Sequence, residues 1–104
     1  MGDYRVDISD LAKIDIRNTV AYITNDLQEP KIAEKTANTI LEAISTLENM
    51  PARVPLVRDK RLAELKIRGL QVKNYTAFFR INEGSNTVDV IRVLYSRRNW
   101  SVLL

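Results

Sequence analysis

The sequence predicts an α+β domain of order β-α-α-β-β-β, with an α-helical hairpin covering one face of an antiparallel sheet. Three observations carry the prediction. A short segment near the N-terminus alternates apolar and polar residues. Two stretches of helical apolar periodicity follow, divided by Glu29-Pro30. Three runs rich in branched and aromatic residues then close the chain, separated by turn signals.

The first strand is Tyr4-Arg5-Val6-Asp7-Ile8, whose period of two fits a half-buried strand. Ser9 and Asp10 follow, and either side chain can accept a hydrogen bond from the first turn of a helix. Leu11, Ile14, Val20, Ile23 and Leu27 form the apolar stripe of that helix, with Ile16 at its edge, and the helix runs to about Asn25 or Leu27. Pro30 suits the first turn of a second helix, whose stripe is Ala33, Ala37, Ile40, Leu41, Ile44 and Leu47. The alanines permit close approach of the two helices, and the short link makes them antiparallel. Asn49-Met50-Pro51 ends the second helix, because proline cannot continue it.

Residues 51–64 read as a basic loop with two prolines and a helical turn near Leu62. Leu65, Ile67, Leu70 and Val72 alternate with a change of phase at Gly69, where a bulge is expected. Tyr75 to Ile81 is the next strand. Glu83-Gly84-Ser85-Asn86 is a hairpin turn leading to a last strand through Val88, Val90 or Ile91, and Val93. Tyr95-Ser96-Arg97-Arg98-Asn99-Trp100 begins the tail. The expectation is one domain over residues 1–104.

Composition narrows the chemistry. The 104 residues include no cysteine and no histidine. Disulfides, thiolate catalysis, a His general base, a Ser-His-Asp triad and His/Cys zinc sites are therefore excluded. The three glycines stand apart and form no phosphate loop. No apolar run reaches the length of a membrane span and no signal peptide opens the chain, so a cytoplasmic protein with no membrane association is expected.

Charge is unevenly spread. Residues 1–52 carry five Lys/Arg against nine Asp/Glu, a net of −4, whereas residues 53–104 carry eleven against four, a net of +7. A basic half of this kind is an electrostatic footprint for a polyanion. Lys66, Arg68, Lys73 and Arg80 fall on the middle strands. If the sheet face away from the helices is open, they form a basic surface there, with Lys66 and Arg68 sharing a face by the period of two and Arg92 joining them or pairing with a carboxylate. Arg97 and Arg98 end the last strand, where a rigid scaffold presents planar, permanent charge. Tyr95 and Trp100 read chiefly as packing anchors, Tyr75 as packed, and Arg53, Arg58, Lys60 and Arg61 as solvated loop charges. Helix capping and solvation account for Asp7, Asp10 and Asp15.

Four segments taken in order resemble a known family. They are Tyr4-Arg5-Val6-Asp7-Ile8-Ser9 with Ala12 and Asp15-Ile16; Ile44 to Pro51 with Pro55-Leu56-Val57; Val72-Lys73-Asn74-Tyr75 with Phe78-Phe79-Arg80-Ile81; and Ile91 through Trp100. Together they resemble the RelE/ParE superfamily, the toxins of bacterial type II toxin–antitoxin pairs, often called plasmid stabilisation proteins. The resemblance implies the β-α-α-β-β-β fold, a cognate antitoxin as partner, growth arrest when the toxin is free, and no cofactor or metal. The target it implies is either mRNA on the ribosome, cut by a metal-independent endoribonuclease (mRNA interferase), or DNA gyrase, inhibited without chemistry. Operator DNA is reached only through the antitoxin complex. An alternative is a non-catalytic member that only binds its antitoxin and joins the operator complex.

Carried over residue by residue, the nuclease pattern is incomplete. RelE-like nucleases place basic residues where this chain has Gly69, Gln71 and Thr76, and many members carry His where Tyr95 stands. The basic position at Arg97 or Arg98 matches. In the nuclease reading Arg97, Arg98 and Tyr95 are the catalytic candidates, and Lys66, Arg68, Lys73, Arg80 and Arg92 bind the polyanion or target. Tyr95 would have to move protons with an ordinary pKa near 10.

Overall fold

The computed structural model describes residues 2–104, Ser101 by its backbone alone. Strand β1 spans Arg5–Ile8 and leads through Ser9 into α1, Asp10–Ala21. Ser9 caps that helix as expected, its Oγ accepting from Ala12 N at 3.0 Å. A π-helical turn, Tyr22–Asp26, finishes the first arm of the hairpin, closed by a bond from Leu27 N to Tyr22 O at 3.2 Å. Pro30 opens α2, Pro30–Ser45, from its first turn. Two 3₁₀ turns and a short helix α3, Lys60–Glu64, lead to β2 (Arg68–Val72), β3 (Tyr75–Asn82) and β4 (Thr87–Tyr95), and α4, Trp100–Leu103, ends the chain.

The sheet order is β1-β4-β3-β2. The strands β2, β3 and β4 form the expected antiparallel ladder, joined by tight turns. The fully antiparallel expectation fails at one edge: β1 runs parallel to β4, Arg5 opposite Thr87 and Ile8 opposite Val90. The helical hairpin and both hairpin strands separate β1 from β4, so no tight turn imposes an antiparallel direction. The bulge is also displaced. Pairing through Gly69 is regular, and the register shifts instead between Phe78 and Phe79, which face Arg92 and Val90 and leave Ile91 as the extra residue of β4.

Both faces of the sheet are covered. The main core lies between helices and sheet and includes Ala12, Ile16, Ile40, Ile44, Phe79, Val88, Val90 and Val93. The opposite face is not open at its centre. Leu62, Ile67, Phe78 and Leu94 are buried there beneath Trp100, Leu103 and Leu104, and Phe78 meets the indole edge-on at 5.0 Å between ring centroids. Trp100 thus anchors the tail, as its sequence context suggests. Burying a side chain such as Phe78 or Phe79 contributes about 1.5–3 kcal/mol. On α1 the inward face is turned from the expected stripe: Ala12, Asp15 and Ile16 are buried, while Leu11 and Ile14 remain exposed. No helix among the described residues is long and apolar enough to cross a membrane.

Candidate functional site

The site grows from the place where β1 stops. Among the described residues no strand pairs with the outer edge of β4 beyond Val90, and α1 takes over that role. Ser9 Oγ donates to Ile91 O at 2.8 Å, and Asp15 Oδ2 accepts from Val93 N at 3.0 Å. Asp15 also grips Arg92 with both oxygens, Oδ2 to Nε at 2.8 Å and Oδ1 to Nη2 at 2.9 Å. The two side chains are only 8% and 17% exposed. Bidentate bonding to Asp15 raises the Arg92 pKa above its ordinary value. The same guanidinium donates to Leu103 O at 3.3 Å, so helix, strand and tail meet on one side chain.

Beside this junction opens a cleft of about 850 Å³. The tip of the helical hairpin supplies one wall through Tyr22, Ile23, Leu27 and Ile32. The strand ends supply the other through Lys73, Tyr75, Tyr95 and Arg98. Tyr22, Leu27, Ile32 and Tyr95 are among the large apolar or aromatic side chains that the fold leaves exposed, and they converge here. Tyr75 and Tyr95 are cross-strand partners packed edge-on at 5.7 Å. Burial, then the neighbouring Tyr95 and Tyr22, push the Tyr75 phenol above its usual pKa of 10.0, so it keeps its proton at neutral pH. Among the described residues neither Lys73 nor Arg98 has a carboxylate partner. The cleft therefore offers apolar contact, aromatic faces and two uncommitted cations, with Glu29 on the hairpin wall, an arrangement suited to binding.

The structure brings together three of the sequence candidates, Lys73, Tyr95 and Arg98, with Tyr75 beside them. Exposed Arg97 stands in the same turn but does not line the cleft. The supposed basic sheet face is dispersed. Lys66 lies outside the strands at φ 64°, so the period of two does not link it to Arg68. Arg68 faces the helix side opposite Phe79 and donates to Val54 O at 2.7 Å and Ala52 O at 3.3 Å. Arg80 projects at the far end of the sheet near Asp89 and Glu83. Arg92, expected on an open face or in an ion pair, is committed to Asp15.

The positions that depart from the nuclease pattern form a neutral network. Gln71 and Thr76 are cross-strand partners, and Thr76 Oγ1 meets Gln71 Oε1 at 3.3 Å and Ser96 Oγ at 2.8 Å. Gly69 sits tightly beside them. A Cβ there would lie 3.1 Å from Thr76 Cγ2 and 3.2 Å from Val57 Cγ1.

Sequence reading missed Asp15 as a structural carboxylate, the Gln71–Thr76–Ser96 network, and the hairpin tip as a wall of the site. Apolar Leu27 and Ile32 flanking a helix break were the one available signal for the last.

The fold is shared with solved structures of toxin–antitoxin systems. A chain of the chromosomal ParDE TA system from P. aeruginosa is similar in structure, with a TM-score of 0.74 at 15% identity over 89% of this chain and 96% of that one. A chain of the RelBE2 toxin–antitoxin complex from Mycobacterium tuberculosis is similar at a TM-score of 0.62 and 20% identity, over 89% and 98%. No curated protein matches the sequence. The model of the ParE toxin of the type II toxin–antitoxin system parDE matches residues 6–100, from β1 to the first residue of α4. With nearly every element of the fold inside that match, the chain belongs to the ParE toxin family and is the toxin of a type II toxin–antitoxin system.

Proposed function

We propose that this toxin arrests growth by binding and inhibiting DNA gyrase, without cutting RNA, and that a cognate antitoxin neutralises it by covering the cleft between the hairpin tip and the strand ends. The observation that carries the reading is the neutral Gln71–Thr76–Ser96 network beside a crowded Gly69, where RelE-like nucleases carry basic residues. RNA cleavage through the 2′-OH needs preset cations for the developing charge and a group to move protons. Here Arg92 is held by Asp15 and Arg68 by backbone carbonyls. What remains at the cleft is apolar surface with Lys73 and Arg98 on its rim, which suits an amphipathic protein segment bearing carboxylates. Operator DNA is contacted through the antitoxin in the assembled complex.

The test is a supercoiling assay with purified gyrase. The toxin is expected to block supercoiling, and added antitoxin to restore it. Full supercoiling at saturating toxin would overturn the gyrase reading.

A further inference from the structure

The two cations of the cleft stand on two different turns. Lys73 lies in the β2–β3 turn and Arg98 in the turn that leaves β4. One residue ties those turns together. Ser96 N donates to Asn74 O at 2.8 Å, Ser96 Oγ accepts from Gln71 Nε2 at 2.9 Å and meets Thr76 Oγ1 at 2.8 Å, and Ser96 O accepts from the Trp100 indole at 3.0 Å. Gln71 Nε2 also donates to Lys73 O at 2.6 Å.

The turn held in this way is an unfavourable one. Lys73 has φ 53°, a left-handed backbone that crowds any residue with a Cβ. The bonds to Lys73 O and Asn74 O supply the constraint that keeps it there. The Arg98 turn includes Ser96 and is closed by its own bond, Arg98 N donating to Tyr95 O at 3.0 Å, while the Trp100 indole on Ser96 O holds its far side.

We propose that Gln71, Thr76 and Ser96 are positioning residues, which hold Lys73 and Arg98 at a set separation so that both engage carboxylates of the antitoxin segment in one docking event. The proposal rests on the reading of the cleft as the antitoxin site. Two cations on turns already fixed lose less freedom on binding than two on mobile loops, so the network raises affinity without touching the partner. It also gives a use to the polar cluster that, in this chain, occupies the nuclease positions.

The experiment measures affinity of the purified toxin for its cognate antitoxin, by calorimetry, for Ser96→Ala, Thr76→Val and Lys73→Ala and for the doubles with Lys73→Ala. Near-ultraviolet circular dichroism and unfolding midpoints show which variants keep the fold. Ser96→Thr, which retains the hydroxyl, serves if Ser96→Ala does not fold. Ser96→Ala and Thr76→Val are each expected to weaken binding on the order of tenfold in the wild-type background, and by less than about twofold once Lys73 is Ala. Ser96→Thr is expected to bind within about twofold of wild type. Equal losses in both backgrounds would mean that the network only supports the fold, and unchanged affinity in folded single variants would likewise overturn the proposal. Failure of the wild-type toxin itself to bind antitoxin would instead overturn the reading of the cleft on which the proposal stands.

Discussion

Asp15→Ala is expected to be among the most damaging single substitutions in the chain. The carboxylate accepts three hydrogen bonds, two from Arg92 and one from Val93 N, at 2.8 to 3.0 Å. Its removal leaves a nearly buried guanidinium with only Leu103 O, at 3.3 Å, and an amide on a strand edge that no strand covers. Breaking a buried pair from one side costs about 3–5 kcal/mol, because the remaining charge is uncompensated. In a domain of this size each kcal/mol lowers Tm by about 4–8 °C, so the midpoint should fall by at least about 12 °C. Urea denaturation followed by circular dichroism measures the loss directly, with an unchanged m-value as the two-state control. Replacing both partners, Asp15→Leu with Arg92→Met, is expected to recover part of the stability, leaving a shortfall of about 1–3 kcal/mol for the still unpaired Val93 amide. The exposed Arg5–Asp7 pair at 3.2 Å is the contrast, and Arg5→Ala should cost less than about 1 kcal/mol. A loss below about 1 kcal/mol for Asp15→Ala would refute the reasoning, since it would place this junction in the same class as a surface pair.

Arg98→Ala and Lys73→Ala are each expected to weaken antitoxin binding by about tenfold or more while leaving Tm within a few degrees, and Arg97→Ala to have a much smaller effect; titration calorimetry at two ionic strengths separates them, since charged contacts weaken with salt. Tyr75 has a folded pKa raised above 10.0, so its contribution to stability is complete below pH 10 and lost as pH rises through the folded value. Accordingly, alkaline spectrophotometric titration of Tyr75→Phe should lose one late-ionising phenol, and its stability should fall less steeply than that of wild type above pH 10. Phe78→Ala should cost about 3–5 kcal/mol in denaturant titrations, because Phe78 is fully buried on the sheet face that the tail covers.

Elements with a single strong local signal were legible in the sequence. Ser9 as a cap, Pro30 as a helix start and the β3–β4 hairpin all stand where local chemistry puts them, whereas the second helix ends at Ser45 and passes through a 3₁₀ turn to Glu48 before Pro51, which opens a 3₁₀ turn of its own. What depended on long-range pairing was not legible. The parallel direction of β1 is set by which sheet edge is free, and no short window of sequence records that. The bulge at Ile91 left no glycine as a marker, whereas Gly69 lies in regular pairing opposite Phe78. Asp15 resembled an ordinary helix-surface carboxylate because its partners, Arg92 and Val93, lie more than seventy residues away. For the same reason the basic residues of the sheet looked like one surface. The structure separates them: Arg68 turns to the loop carbonyls, Arg92 to Asp15, and Lys66 into a left-handed turn. Lys73, Tyr95 and Arg98 line one cleft, but the hairpin tip that forms its other wall is brought there only in three dimensions.

The most direct test of a toxin that binds rather than cuts is sequencing of mRNA 5′ ends after a brief pulse of expression without antitoxin, with growth followed in parallel. Growth should stop while the pattern of ends inside coding regions stays that of the uninduced culture. New in-frame ends appearing as growth stops would contradict the account and assign the toxin to the ribosome-dependent nucleases.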